Sequence, residues 1–252
     1  MAAAIEEIRD PRDKGLAIAN RSYESDSGFD DFYAELTIIQ KENTGKEEAF
    51  QIRLWGLEDK EDGDKSISVY DFPPDVKGMA RLSHSHMARP DDHWVYVPDN
   101  KRVRRVSPTS QLSYFMGTQF TFEDLRLYRA ESSAKYTFLY LKDDILNEVE
   151  CYQIQRFPYK KKFTNYSSQI MWIDKEAFRV LKIEFFDLEG ELVKTLVRSE
   201  FKLYEGKFWA MQKMAMTNNQ TGESTLVLWN NYRFGMGLSE QHFSRENLKR
   251  LK

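Results

Sequence analysis

The chain has 252 residues, 41% hydrophobic, 31% charged and 14% aromatic, and 37 Lys+Arg against 40 Asp+Glu leave a formal net charge of −3. This balance gives no global reason to expect nucleic acid, and no stretch approaches the ~18 apolar residues of a membrane-spanning helix. With 17 Phe, 13 Tyr and 5 Trp, the chain carries too much aromatic surface to stay disordered, and its one cysteine, Cys151, excludes an internal disulfide and a multi-cysteine metal site.

Met1-Ala2-Ala3-Ala4 reads either as the remnant of a removed signal peptide behind an added methionine or as a short native start. Asp10-Pro11 signals a helix start, and Leu16, Ile18, Ala19 and Tyr23 supply its apolar stripe up to Asp26-Ser27-Gly28. From Phe32 the period changes to two: Phe32, Ala34, Leu36 and Ile38 form one strand, and Phe50, Ile52 and Leu54 the next, across the turn Glu42 to Gly45. Ser66 to Phe72 is a short strand stopped by Pro73-Pro74.

Trp94, Tyr96 and Pro98 share one face of a hairpin that turns at Pro98-Asp99-Asn100 and continues into Lys101, Arg102, Arg104 and Arg105. Residues Ser107 to Leu125 then break the strand period and are unusually aromatic for a connector. Leu112, Phe115 and Met116 fall at helical spacing, which predicts a short amphipathic helix, with Phe120 and Phe122 continuing as an extended piece. Gly117 is the expected flexible joint between them. The segment reads either as a plug of the core or as a movable cover, and a cover would be held more loosely than the strands.

The second half is a run of strands: Tyr136–Leu141, Val149–Arg156, Gln169–Ile173, Val180–Phe186, Leu192–Tyr204, Phe208–Thr217 and Ser224–Phe234. Their connectors are too short for crossover helices, so the sheet is antiparallel. Cys151 is a small residue within one of these strands. Several strands carry large apolar residues on both faces, which implies either helices covering the second face or a curved sheet enclosing an apolar cavity. From Ser239, which can N-cap, to Leu251, the tail presents Phe243, Leu248 and Leu251 inward. Without a linker or repeat, residues 1–252 read as one domain.

Three pieces in order, Trp94-Val95-Tyr96-Val97-Pro98, Lys101 to Ser107 and Phe115 to Leu125, resemble the signature of the periplasmic outer-membrane lipoprotein-sorting family, the LolA-like proteins. The leading helix and the tail from Tyr232-Arg233-Phe234 to Leu251 match the same arrangement, so the resemblance covers essentially the whole chain, as a longer branch of the family. The resemblance implies a mainly β fold with α: an incomplete antiparallel β-barrel curled round a short helical lid, with N- and C-terminal helices and an apolar cavity between sheet and lid. It implies a non-enzymatic periplasmic carrier of lipoprotein acyl chains or other lipids, with its signal peptide removed and no cofactor. Trp94, Tyr96, Leu112, Phe115, Met116, Phe120 and Phe122 would then line the cavity and lid. Lys101, Arg102, Arg104 and Arg105 would meet lipid headgroups or a partner, such as a membrane transporter or outer-membrane receptor; as solvated hairpin ends they would have no such role. A second reading makes the same fold a lipid- or peptide-binding sensor that signals to a partner protein.

Other chemistry is weaker. His84 and His86 at i, i+2, with Asp91, Asp92 and His93 following, match no zinc spacing and read as surface histidines near a turn. Lys160-Lys161-Lys162 is a second basic cluster, and Glu123-Asp124 a carboxylate pair in which Asp124 serves as a helix cap for Leu125 to Tyr128. No nucleophile elbow, P-loop or dinucleotide fingerprint is present.

Overall fold

The structure, a computed structural model, describes residues 2–87, 89–126, 133–159 and 164–250, with side chains from residue 4 onward. Two helices open the chain, α1 (Ala2–Glu6) and α2 (Pro11–Ser25). Asp10 caps α2 by accepting hydrogen bonds from the N–H groups of Arg12 and Asp13, with Pro11 in the first turn. Ile18 and Ala19 are buried, but Leu16 is 41% exposed, contrary to the expected stripe. Residues two apart do not share a helix face, so Leu16 and Ile18 cannot both point inward.

Among the described residues thirteen strands follow: β1 (Asp31–Lys41), β2 (Glu47–Leu57), β3 (Lys65–Phe72), β4 (Ala80–His84), β5 (Asp92–Val97), β6 (Arg102–Arg105), β7 (Tyr136–Leu146), β8 (Val149–Pro158), β9 (Ser168–Asp174), β10 (Val180–Phe186), β11 (Leu192–Tyr204), β12 (Phe208–Asn218) and β13 (Ser224–Phe234). They form one antiparallel sheet in the order β6-β5-β4-β3-β2-β1-β13-β12-β11-β10-β9-β8-β7. Each meander grows by hairpins, and pairing of β1 with β13 joins the two meanders at the middle. The sheet is not closed: β6 and β7 are its edges. This is the incomplete antiparallel β-barrel expected from the sequence.

The topology explains the odd connector. β6 and β7 are consecutive in sequence yet lie at opposite edges of the sheet, and the described residues of the connector between them are 106–126 and 133–135. Helix α2 packs beside the β7 edge, and the approach is backbone to backbone. A Cβ on Gly15 would lie 2.8 Å from the Tyr140 nitrogen, so glycine is needed there.

Two apolar clusters form on the two faces. The inner one unites Ile18 of α2, Leu36, Ile52, Ile154, Ile183, Met214 and Trp229 of the strands, and Phe115 and Phe120 of the connector. The outer one, on β3 and β4, contains Ile67, Val69, Ala80 and Leu82 beneath Phe243 and Leu248 of the C-terminal tail. That tail has a 3-10 turn (Glu240–Phe243) capped by Ser239 and a short helix α3 (Arg245–Leu248), as the N-cap and inward Phe243 and Leu248 predicted. Asp31 ties the tail down by accepting from the N–H groups of Met236 (2.7 Å) and Leu238 (2.9 Å). Helical segments thus cover the second face, but only at this end of the sheet. Leu251 lies outside the described residues.

Cys151 is fully buried in β8, where burial pushes its thiol up to about 11. It stays a protonated, unreactive thiol at neutral pH.

Candidate ligand-binding site

The connector lies against the inner face of the sheet. Its N-terminal part is a single 3-10 turn (Ser110–Leu112), after which Ser113 is extended. Tyr114 and Thr121 then form a β-bridge, the Phe115 N–H donates to the Phe120 carbonyl at 2.8 Å, and Met116 and Gly117 turn the chain with φ of 48° and 74°. The helix expected from Leu112, Phe115 and Met116 is therefore absent. Two consecutive residues with positive φ cannot sit in a right-handed helix; they make the tight turn of a small hairpin. Phe122 also departs from expectation, starting a 3-10 turn (Phe122–Arg126) rather than continuing extended.

The hairpin is not loosely held. Gln40 of β1 donates to the Met116 carbonyl (2.8 Å), the Gln119 N–H donates to Thr225 Oγ1 of β13 (2.8 Å), and Asn165 donates to the Leu112 carbonyl (2.7 Å). Its strongest attachment is Asp124. The carboxylate, 2% exposed, lies 2.8 Å from the Lys194 ammonium of β11 and accepts hydrogen bonds from the Tyr166 hydroxyl (3.0 Å) and the Thr121 N–H (2.8 Å). Burial, followed by the Asp124 charge, pushes the Tyr166 phenol well up, so it remains a donor. Asp124 thus sits within a 3-10 turn as an anchor, not at the head of a helix. Glu123 diverges from it to accept from the Asn165 N–H, so the two carboxylates do not converge on one point. Leu127 and Tyr128 lie outside the described residues.

Between the hairpin and the sheet is a cavity of about 60 Å³, lined chiefly by Leu36, Ile52, Phe115, Phe120, Met214 and Val227, with Ser68, Arg81 and Asp124 as polar members. Phe115 is 7% exposed and packs edge-on against Phe122 with ring centroids 5.0 Å apart. Met116 packs at the rim of the inner cluster. The inner face is thus largely filled, and a pocket for a drug-sized ligand, ~300–1,000 Å³, would need the hairpin to move.

Trp94 and Tyr96 share a face, but the opposite one. Trp94 pairs with Leu82 and Tyr96 with Ala80, and all four belong to the outer cluster under the tail. The inward residues at this edge are Ser83 and Arg81 on β4, opposite His93 and Val95 on β5. Arg81 donates to Ser83 Oγ, which is 2.6 Å from His93 Nδ1, and the His93 ring meets Phe122 of the connector. Alternation reveals which residues share a face, not which face is inward, and a polar inner face reverses the usual guess.

The other histidines are structural. His84 Nε2 donates to the Phe243 carbonyl at 2.8 Å, securing the tail. His86, 7% exposed and hence not a surface residue, bridges Asp62 (2.5 Å) and Asp92 (3.2 Å). Among the described residues no group of three or more His, Cys, Asp or Glu side chains is arranged to hold a metal ion.

Lys101, Arg102, Arg104 and Arg105 are exposed at the β5–β6 hairpin, and Arg105 is already engaged with Asp92. Lys160, Lys161 and Lys162 lie outside the described residues. Burial raises the Asp92 carboxyl, but hydrogen bonds from Arg105, Arg89 and His86 outweigh it and hold the group well below the usual carboxylate range. A depressed carboxyl stabilises the fold above its unfolded value, ~3.9, and the gain is lost as pH falls toward the folded value. Asp92→Asn should therefore be less stable than the unaltered chain at pH 7, and the gap should shrink below about pH 4. Urea titrations at several pH values check this; a gap independent of pH would refute it.

Comparison with known proteins places this geometry. A crystal structure described as an outer membrane lipoprotein-sorting protein domain from Vibrio parahaemolyticus is 39% identical, covers 94% of this chain and 99% of its own, and superposes with a TM-score of 0.90. The chain belongs to the LolA-like, outer-membrane lipoprotein-sorting family. A DUF1329 family protein from Desulfovibrio piger is 29% identical over 95% of this chain and 100% of its own, with a TM-score of 0.89. A LolA superfamily protein from Nitrosomonas europaea, 19% identical over 92% of this chain and 98% of its own, shares the fold with a TM-score of 0.73. A family model described as an uncharacterized protein matches residues 62–250. No curated protein matches. In this chain the hairpin of the connector and the turn after it are tied to the mid-sheet strands β1, β13 and β11.

Proposed function

We propose that the protein is a non-enzymatic periplasmic carrier that shields acyl chains of lipoproteins or other lipids in the cavity between the curved sheet and the connector hairpin. It acts as one domain, and the cargo moves toward the outer membrane. The observation that carries this reading is the apolar void beneath a separate covering segment, in a chain of the lipoprotein-sorting family. Leu112, Phe115, Met116, Phe120 and Phe122 form the cover. Cargo entry swings the hairpin outward; each acyl methylene then buried contributes ~0.8 kcal/mol, against the cost of ordering the chain and releasing the cover. Among the described residues no helix is long and apolar enough to cross a membrane, so membrane contact is transient in this reading. Lys101, Arg102 and Arg104 supply a basic patch worth ~1 kcal/mol per residue near an anionic surface or partner.

A fluorescent fatty-acid probe tests the reading. The unaltered protein should bind it saturably at one site. Val227→Phe, which fills the cavity from β13, should weaken binding about tenfold, at a stability cost of ~1–3 kcal/mol for overpacking. No binding, or binding indifferent to Val227→Phe, would count against the cavity as the cargo site.

A further inference from the structure

The two edges of the sheet differ. β7 has helix α2 packed beside it, backbone to backbone. β6 pairs only with β5, and among the described residues no other strand lies along its far side. The register fixes what that side offers. The Val106 N–H donates to the His93 carbonyl, and the pairing continues with Trp94 opposite Arg105, Val95 opposite Arg104 and Tyr96 opposite Val103. Hydrogen-bonded and non-bonded pairs alternate along an antiparallel ladder. Arg104 therefore turns its N–H and C=O toward β5, while those of Val103 and Arg105 point outward, the template for one more strand.

The side chains sort the same way. Arg102 and Arg104 share one face and are exposed; Val103 lies on the other, at the rim of the outer cluster. Lys101 adds an exposed cation at the end of the turn. Arg105 is engaged by Asp92, but Lys101, Arg102 and Arg104 form no ion pair among the described residues. Such an edge discriminates between partners. A second copy of β6 paired to it would set arginine against arginine, and like charges across an antiparallel pair are destabilising. An acidic strand would set carboxylates there instead. A bilayer fits worse, because the tip of this hairpin, Pro98-Asp99-Asn100, leads with a carboxylate and no large apolar side chain.

We propose that the β6 edge docks, antiparallel, an extended segment of a partner protein that alternates acidic and apolar residues. Its backbone bonds to Val103 and Arg105, its carboxylates face Arg102 and Arg104, and its apolar side chains extend the outer cluster beside Val103. This docking rests on the carrier reading for its purpose, the transfer of cargo to a protein.

Fluorescence anisotropy with a labelled Glu-Val-Glu-Val-Glu-Val peptide tests it. That peptide should bind at least about tenfold more tightly than Lys-Val-Lys-Val-Lys-Val and than Glu-Glu-Glu-Val-Val-Val, which has equal charge without alternation. Methylating its valine nitrogens, which would face Val103 and Arg105, should weaken binding about tenfold; methylating the glutamate nitrogens, which face away, should not. Arg102→Glu with Arg104→Glu should turn the preference to the lysine peptide. Val103→Pro removes an outward N–H and leaves the pairing with β5 intact, and should weaken binding about three- to tenfold. Equal binding of the two acidic peptides would show that the patch reads charge alone and overturn the edge assignment. Binding indifferent to the arginine changes would do the same. Retention on phosphatidylglycerol vesicles through these arginines, with no peptide bound, would make the surface a membrane contact and overturn the protein partner. The fatty-acid probe, titrated into the same samples, keeps the two readings apart: its affinity should be unchanged in the variants, and its failure to bind the unaltered protein would count against the cavity while leaving the peptide result intact. Should Val103→Pro not fold, the methylated peptides against the unaltered protein decide the matter.

Discussion

Asp124→Ala is expected to lower unfolding stability by about 3–5 kcal/mol, the usual penalty for removing one member of a buried ion pair. The substitution strands the Lys194 ammonium, whose side chain is 4% exposed, without its carboxylate. It also removes the acceptor of the Tyr166 hydroxyl and of the Thr121 N–H. Lys194 keeps a bond to the Gln119 carbonyl at 3.2 Å, which cannot neutralise its charge. The double change Asp124→Asn with Lys194→Met should recover most of the loss. It discards both charges, while the amide oxygen still accepts from Tyr166 and Thr121. Urea denaturation at pH 7 measures both. A loss below about 1 kcal/mol for Asp124→Ala would show that the pair contributes little and that the hairpin is held by its other contacts.

The hairpin connectors and alternating strands of the second half were legible because each is a local signal. Val180–Phe186 and Ser224–Phe234 end where the sequence pattern ends them. Strand β4 was not legible. Ala80, Arg81, Leu82 and Ser83 alternate apolar and polar, but the strand is only five residues long and carries a single large apolar side chain, Leu82, too little to mark a strand. Trp94 and Tyr96 failed for another reason: their common face was readable, but the tail that covers it is more than a hundred residues away in sequence. Asp124 is the sharpest case. Its partner Lys194 is 70 residues distant, and nothing near Glu123-Asp124 announces a buried charge. The connector misled through spacing alone. Leu112, Phe115 and Met116 satisfy a helical period, yet Gly117 permits a turn whose hydrogen bonds to Gln40 and Thr225 outweigh one isolated helical turn.

Phe115→Asp separates a movable cover from a plug of the core. Phe115 contributes its ring to the inner cluster between Tyr70 and Phe122, with the Arg81 guanidinium 5.9 Å from its centroid. Loss of a buried phenyl costs about 3–5 kcal/mol. A single domain commonly has 5–15 kcal/mol in reserve, so the sheet should survive and its circular dichroism should be unchanged at 25 °C. The new carboxylate meets Arg81, which lowers the cost of burying it in the empty protein. Cargo changes the balance. An acyl chain entering the cavity displaces the surroundings that solvate this charge, so its desolvation opposes binding more than folding. Affinity for the fluorescent fatty acid should therefore fall at least about tenfold. Unchanged affinity would show that the cargo does not pass beneath this hairpin. Global unfolding would show that Phe115 belongs to a fixed core, with the hairpin anchored too firmly by Gln40, Thr225 and Lys194 to serve as a cover.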